Sequence, residues 1–167
     1  MYVPPRPSVD GFEPHLAANF LGHFLLTSLL LDKLKASAPS RIINVADMTY
    51  KRGHVNFEDL NGLTDYNKKA AYDRSKLASV AFTKELAKRT SGSSVTVNDI
   101  FPGYTETDIG RQMKSKAIRI MTKPIKWFVL QKPEKAANTL MYVATSPELD
   151  TVSGKFLRYD RASKKCM

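Results

Sequence analysis

Residues 71–103 read AYDRSKLASVAFTKELAKRTSGSSVTVNDIFPG. Small and straight-chain residues with apolar positions at helical spacing predict a helix over about 69–90. SGSS (91–94) is a turn, and VTVNDIF (95–101) is rich in β-branched residues and reads as a strand. Pro102-Gly103 stops that strand abruptly. A helix feeding a strand through a four-residue turn is half of a crossover unit, and the flanking sequence extends it in both directions.

Upstream, RIINVA (41–46) predicts a short, β-branched, internal strand. Before it, Leu16, Phe20, Phe24, Leu25, Leu29 and Leu30 recur at steps of three and four between Gly11 and Leu34. Nearly every face of that helix is apolar, which predicts burial. A long polar stretch, DMTYKRGHVNFEDLNGLTDYNKK, follows the first strand, and long loops in compact domains tend to carry function. Downstream, a helix is predicted from about Pro133 to Thr145 and a strand over SGKFLRYD (153–160). Helix, strand, helix, strand, helix, strand is the order of an α/β fold with parallel strands. The 167 residues form one domain, with an extended, proline-rich lead-in at 1–10 and a tail at 161–167.

Composition narrows the function classes. Hydrophobic residues make up 43% of the chain, enough for a core. The net charge of +10 is spread without a run of five like charges, so it is not the footprint of a nucleic-acid binder. Cys166 is the sole cysteine, so there is neither a disulfide framework nor a zinc site, and a reducing, intracellular setting is expected. His15, His23 and His54 lack metal-ligand spacing and read as surface or packing residues. The first residues lack the basic-then-apolar order of a signal peptide, and no uninterrupted apolar run reaches the roughly 18 residues of a membrane span.

The chemistry lies in AYDRSK. Tyr72 and Lys76 are four residues apart, on one helix face. A phenol titrates near pH 10, and a neighbouring ammonium stabilises the phenolate, bringing proton transfer within reach at neutral pH. Taken alone, the spacing favours two surface residues on a helix over a catalytic pair.

Several ordered motifs settle the context. DGFEPHLAANFLGHFLLTSLLLDKLKASAPSRIINV, AYDRSKLASVAFTKELAKR, VTVNDIFPGYTETDI and SGKFLRYD together resemble the short-chain dehydrogenase/reductase family, most closely its retinol-dehydrogenase-like branch. The resemblance covers nearly the whole chain. It implies the C-terminal part of a Rossmann-like, doubly wound parallel sheet, without the N-terminal strands and the glycine-rich turn. It implies that Tyr72 and Lys76 carry the proton chemistry, that Lys76 also holds the nicotinamide ribose, and that Asn19 in NFLG completes a proton relay. Without the resemblance, Asn19 reads as a polar residue that bends its helix. Pro102, Gly103 and Thr107 match family positions that contact the nicotinamide end. The implied reaction is NAD- or NADP-dependent hydride transfer on an apolar alcohol or carbonyl, such as a retinoid, steroid or lipid aldehyde.

Two departures from the family pattern bear on activity. A family serine follows the first strand here, where this chain has NVADM, with Asp47 at the serine position. An ionised carboxylate has no proton to donate. It also repels the charge that must develop on Tyr72, by about 4 kcal/mol at about 4 Å and an effective dielectric near 20. Second, no G-x-G-x-x-G or looser glycine triplet occurs in the chain, so a dinucleotide's pyrophosphate has no backbone cradle. These departures predict marginal stability, a bare strand edge at 41–46 and little activity for the chain by itself. The alternative function is a non-catalytic form that pairs with itself or a full-length relative through helices 12–34 and 69–90.

RQMKSKAIRIMTKPIKWFVL (111–130) interleaves Lys and Arg with Ile, Met, Trp and Phe. The family places its substrate lid here. Contact with a membrane surface through Trp127 and Phe128, and ordinary packing, are the other readings. The implied location is cytoplasmic or peripheral on an intracellular membrane.

Overall fold

The computed structural model describes residues 3–64, 66–106 and 130–158. Three parallel strands, β1 (Ser40–Val45), β2 (Val95–Phe101) and β3 (Phe156–Arg158), lie in the order β1-β2-β3. Register places Asn44 beside Asp99 and Val45 beside Ile100, and Asp99 beside Phe156. All seven residues of β2 are buried, as a central strand requires.

Helices cover both faces. On one face α2 (Gly22–Ala36) and α3 (Lys68–Arg89) bring Leu31, Leu34, Phe82 and Leu86 onto Ile42, Val95 and Val97. On the other, α4 (Pro133–Thr145) brings Leu140 and Val143 onto Ile43, Ile100 and Leu157. Ile42 and Ile43 are adjacent and serve opposite faces, the period-two signature of a strand sandwiched between helix layers. Local chemistry fixes the helix ends. The Asn67 side chain accepts from the backbone N–H groups of Lys69 and Ala70 at the start of α3. Pro133 opens α4, and Arg41 of β1 donates to the Val143 and Ser146 carbonyls at its C-terminal end.

The first helical region differs from its sequence reading in two ways. It is not one uniform helix: α1 (Pro14–Leu16) and α2 are joined by a π-helical turn at Ala17–Leu21. Nor is it buried. Thr27 is the buried residue of α2, while Leu25, Leu26 and Leu29 are 58%, 57% and 73% exposed. Hydrophobic periodicity counts apolar residues, not partners. Phe20 and Phe24 meet Phe82 of α3, Leu31 and Leu34 reach the core, and the remaining face points away from both. The stretch Pro14–Ala36 is, by length and composition, apolar enough to cross a membrane.

Strand β1 is internal in its two covered faces but not in its pairing. Among the described residues it is an edge strand, and Val45 is 48% exposed. Of the strand expected over 153–160, residues 159–160 lie outside the described ones, and the rest is regular at Phe156–Arg158. Before it, Gly154 donates its N–H to the Val97 carbonyl, and the Ser153 hydroxyl accepts from the Val97 N–H. Two adjacent small residues on the β3 side of β2 thus stand in for ladder pairing at Val97.

Candidate active site

Strands β1 and β2 are parallel, so the segments that leave their C-terminal ends emerge at one edge of the sheet. Asp47 follows β1, and Pro102-Gly103 follows β2. In open α/β sheets this edge is where ligands bind.

Asp47 has extended backbone and caps the 3₁₀ helix Met48–Arg52, its Oδ1 accepting from the Thr49 N–H at 2.9 Å. Its other oxygen, Oδ2, accepts from the Tyr72 hydroxyl at 3.0 Å. The loop holding Asp47 is pinned to α3. Arg52 donates to Asp73 at 3.0 Å, and a Cβ on Gly53 would lie 2.7 Å from the Asp73 carbonyl, so only glycine permits this approach.

Tyr72 is buried. Lys76 Nζ sits 5.9 Å from its ring centroid and donates one proton to the Val45 carbonyl at 3.2 Å. Burial lowers the Lys76 amine below the usual lysine range, while the charges of Asp47 and Asp99 act in the opposite direction. Asn19 lies in the π turn, and its Nδ2 donates to the Ser75 hydroxyl at 3.0 Å. Ser75 in turn donates to the Tyr72 carbonyl at 2.7 Å. Asn19 is therefore joined to the Tyr72–Lys76 turn of α3 through one hydroxyl. A π turn inserts an extra residue into the helix and swings one side chain around the axis, a device frequent at functional sites.

Gly103 has φ +96°, as glycine readily adopts, and the space a Cβ would fill holds the Gln131 amide. Gln131 donates to the Pro102 carbonyl, and its backbone pairs with Tyr104 and Glu106. Pro102-Gly103 is thus fixed by Gln131, which sequence reasoning missed because nothing in the neighbouring LQK marks it. Thr107 and nearly all of 111–130 lie outside the described residues. Asp47, Tyr72 and Lys76 are brought together, Asn19 is one link away, and Pro102-Gly103 shares their sheet edge.

Sequence reasoning also missed Asp99. On β2 it continues the series Val95 and Val97 that faces α3, is 1% exposed, and accepts from the Thr83 hydroxyl at 3.0 Å. Asn44 donates to the same hydroxyl at 2.8 Å. Burial pushes the Asp99 carboxyl up to about 7, against the opposing effects of Thr83, Lys84 and Lys76. The signal available was an acid in a strand whose every residue had to be internal. Separately, a cavity of about 430 Å³ lies over the N-terminal end of α3, lined by Glu58, Asp59, Asn67 and Arg74 among others. Its polar walls do not suit an apolar substrate.

The motifs that converge here lie within residues 6–118, which match the family model described as short chain dehydrogenase. The chain belongs to the short-chain dehydrogenase family. Its relatives place it in the retinol-dehydrogenase-like branch. It is 50% identical over 160 residues to retinol dehydrogenase 13 of Mus musculus, covering 93% of this chain and 48% of that protein. It is 39% identical over 170 residues to polyprenol dehydrogenase of Homo sapiens, covering 98% of this chain and 51% of that protein. This short-chain dehydrogenase sequence thus spans about half the length of the curated relatives it matches. Among solved structures, an uncharacterised protein from Mycobacterium paratuberculosis superposes with a TM-score of 0.70 at 32% identity, covering 95% of this chain and 50% of that one. 4-Hydroxyisoleucine dehydrogenase complexed with NADH superposes at 0.65, with 21% identity, covering 93% of this chain and 62% of that one, and shares the fold.

The donor set fits the nicotinamide end of a dinucleotide and not its pyrophosphate. Lys76 spends one of its three N–H protons on Val45, which leaves donors for ribose hydroxyls beside Tyr72. The glycine-rich turn that would cradle a pyrophosphate is missing from the sequence.

Proposed function

We propose that this chain carries the reacting half of an NAD- or NADP-dependent oxidoreductase acting on an apolar alcohol or carbonyl. The supporting observation is the Tyr72 hydroxyl at the C-terminal end of β1, with the Lys76 ammonium alongside. The names of the relatives, retinol and polyprenol dehydrogenases, favour a long apolar substrate. Lys76, Tyr72, Pro102, Gly103 and Thr107 would hold the nicotinamide end, which supplies the hydride acceptor or donor when bound. Tyr72 moves the proton of the substrate oxygen, and Lys76 stabilises the phenolate. Asn19 steadies the turn that carries them. A cytoplasmic or membrane-peripheral site, with 111–130 over the substrate or against the lipid surface, belongs to the same reading.

Asp47 works against this chemistry. In the resting site it takes the Tyr72 proton's hydrogen bond, and a phenolate on Tyr72 would face its carboxylate at 3.0 Å. Low turnover is the consequence for this 167-residue chain. The test is reduced-cofactor oxidation with retinal or a long-chain aldehyde at high protein concentration. Asp47→Ser is expected to raise the rate about tenfold or more, and adding Tyr72→Phe to lower the resulting rate about a hundredfold. Turnover indifferent to both substitutions refutes the reading.

The exposed apolar face of α2 favours a second role, pairing with another copy or with a full-length relative through α2 and α3 without catalysis. That role predicts a defined complex whose formation Tyr72→Phe leaves unchanged.

A further inference from the structure

We propose that Glu13 and His15 form a positioning pair for Tyr72. The pair lies on the α1 side of the site, and its imidazole meets Tyr72 directly. The imidazole of His15 and the Tyr72 ring meet in a T-shaped arrangement, with centroids 5.8 Å apart and planes at 82°. This is the favourable arrangement for two aromatic rings.

Two bonds fix the imidazole. Its Nδ1 lies 2.6 Å from Glu13 Oε1, and its Nε2 faces the Val3 N–H at 3.4 Å. Since Val3 can only donate, Nε2 accepts and Nδ1 carries the proton shared with Glu13. Glu13 is wholly inaccessible and His15 is 4% exposed. A buried carboxylate persists only where its oxygens are satisfied, and here both are. Oε1 takes the His15 proton and lies 3.3 Å from the Tyr66 hydroxyl, which donates to the Val3 carbonyl at 2.8 Å, and Oε2 accepts from the Leu16 N–H at 2.8 Å, capping α1. The Glu13 N–H donates to Asn61 Oδ1 at 2.6 Å. Burial alone would raise the Glu13 carboxyl, but the bonds from His15 and Leu16 outweigh it and hold the carboxyl below its usual range.

Glu13 therefore acts on Tyr72 only through His15. The carboxylate sets the imidazole, and the T-shaped contact with the imidazole sets the pitch of the Tyr72 ring, whose hydroxyl must reach the sheet edge. Residues 13 and 15 are a third hold on Tyr72, independent of Asp47 at its hydroxyl and Ser75 at its backbone.

The structural claim stands without the oxidoreductase reading, which is needed only for its catalytic consequence. Carbon-13 tyrosine labelling of the full chain, with Tyr72 assigned from Tyr72→Phe, reads the ring without any turnover. Glu13→Gln and His15→Ala are expected to shift the Tyr72 ring signals in the same direction and to speed ring flipping. His15→Phe, which keeps an aromatic ring, should restore slow flipping in part. Unmoved Tyr72 signals in Glu13→Gln and His15→Ala, with Val97 and Leu157 methyl shifts intact, overturn the proposal. Global unfolding of all three variants also overturns it, because the pair would then determine the fold rather than the ring. Failure of turnover with the expected ring shifts would instead count against the oxidoreductase reading alone.

Discussion

At the scale of single residues, the acids decide how this site behaves. Asp99 sits in the α3-facing row of a fully buried strand, with a hydroxyl as its hydrogen-bond partner. Its carboxyl titrates near 7 when folded, against 3.8 as the ordinary value. The folded chain therefore holds this proton more tightly than the unfolded chain. Its stabilising preference is complete below pH 4 and is lost as pH rises through 7. Asp99→Asn, which keeps an acceptor for Thr83, is expected to raise stability by a few kcal/mol at pH 8 and by almost nothing at pH 4. Urea unfolding at the two pH values checks this, and an equal gain at both would show that the charge is not what matters. Asp47 was legible in the sequence as an acid in a serine's place. Its closeness to Tyr72 followed from that place; the direct hydrogen bond from the Tyr72 hydroxyl to Oδ2 did not, because sequence spacing carries no information on which loop atom meets which helix.

At the scale of elements, helix limits were legible where capping chemistry marks them, as at Asn67 and Pro133. The π turn at Ala17–Leu21 was not, since one extra residue in a turn leaves no trace in composition. Burial of the first helix was misjudged for a related reason: an all-round apolar pattern states a demand for cover without naming the partner. The exposed face of α2 leads to a clear expectation. Leu26→Glu with Leu29→Glu should cost the monomer less than about 0.5 kcal/mol per site, as substitutions at exposed positions do. The same pair should abolish any self-association seen by analytical ultracentrifugation. A loss of several kcal/mol in the monomer would mean that the face is covered from within the chain.

At the scale of the whole molecule, three parallel strands carry helices on both faces, and two apolar clusters share β1 and β2 between them. Helix and strand order made this architecture readable from 71–103 outward, because alternation and a short turn leave few parallel topologies. The edge position of β1 among the described residues was expected from the departures from the family pattern, whereas periodicity and composition alone had read the strand as internal. On the proposed reading, Lys76 is a donor for the nicotinamide end and Tyr72 the proton-transfer group, while the sequence contains no glycine-rich turn. The most direct test is binding of reduced nicotinamide mononucleotide and of reduced NADP to the 167-residue chain, followed by NMR at Tyr72, Lys76 and Gly103. Our account predicts weak binding of the two with nearly equal affinity, shifts confined to those residues, and loss of both in Lys76→Met. Dinucleotide binding a hundredfold tighter than mononucleotide, or shifts that bypass Tyr72 and Lys76, would contradict it.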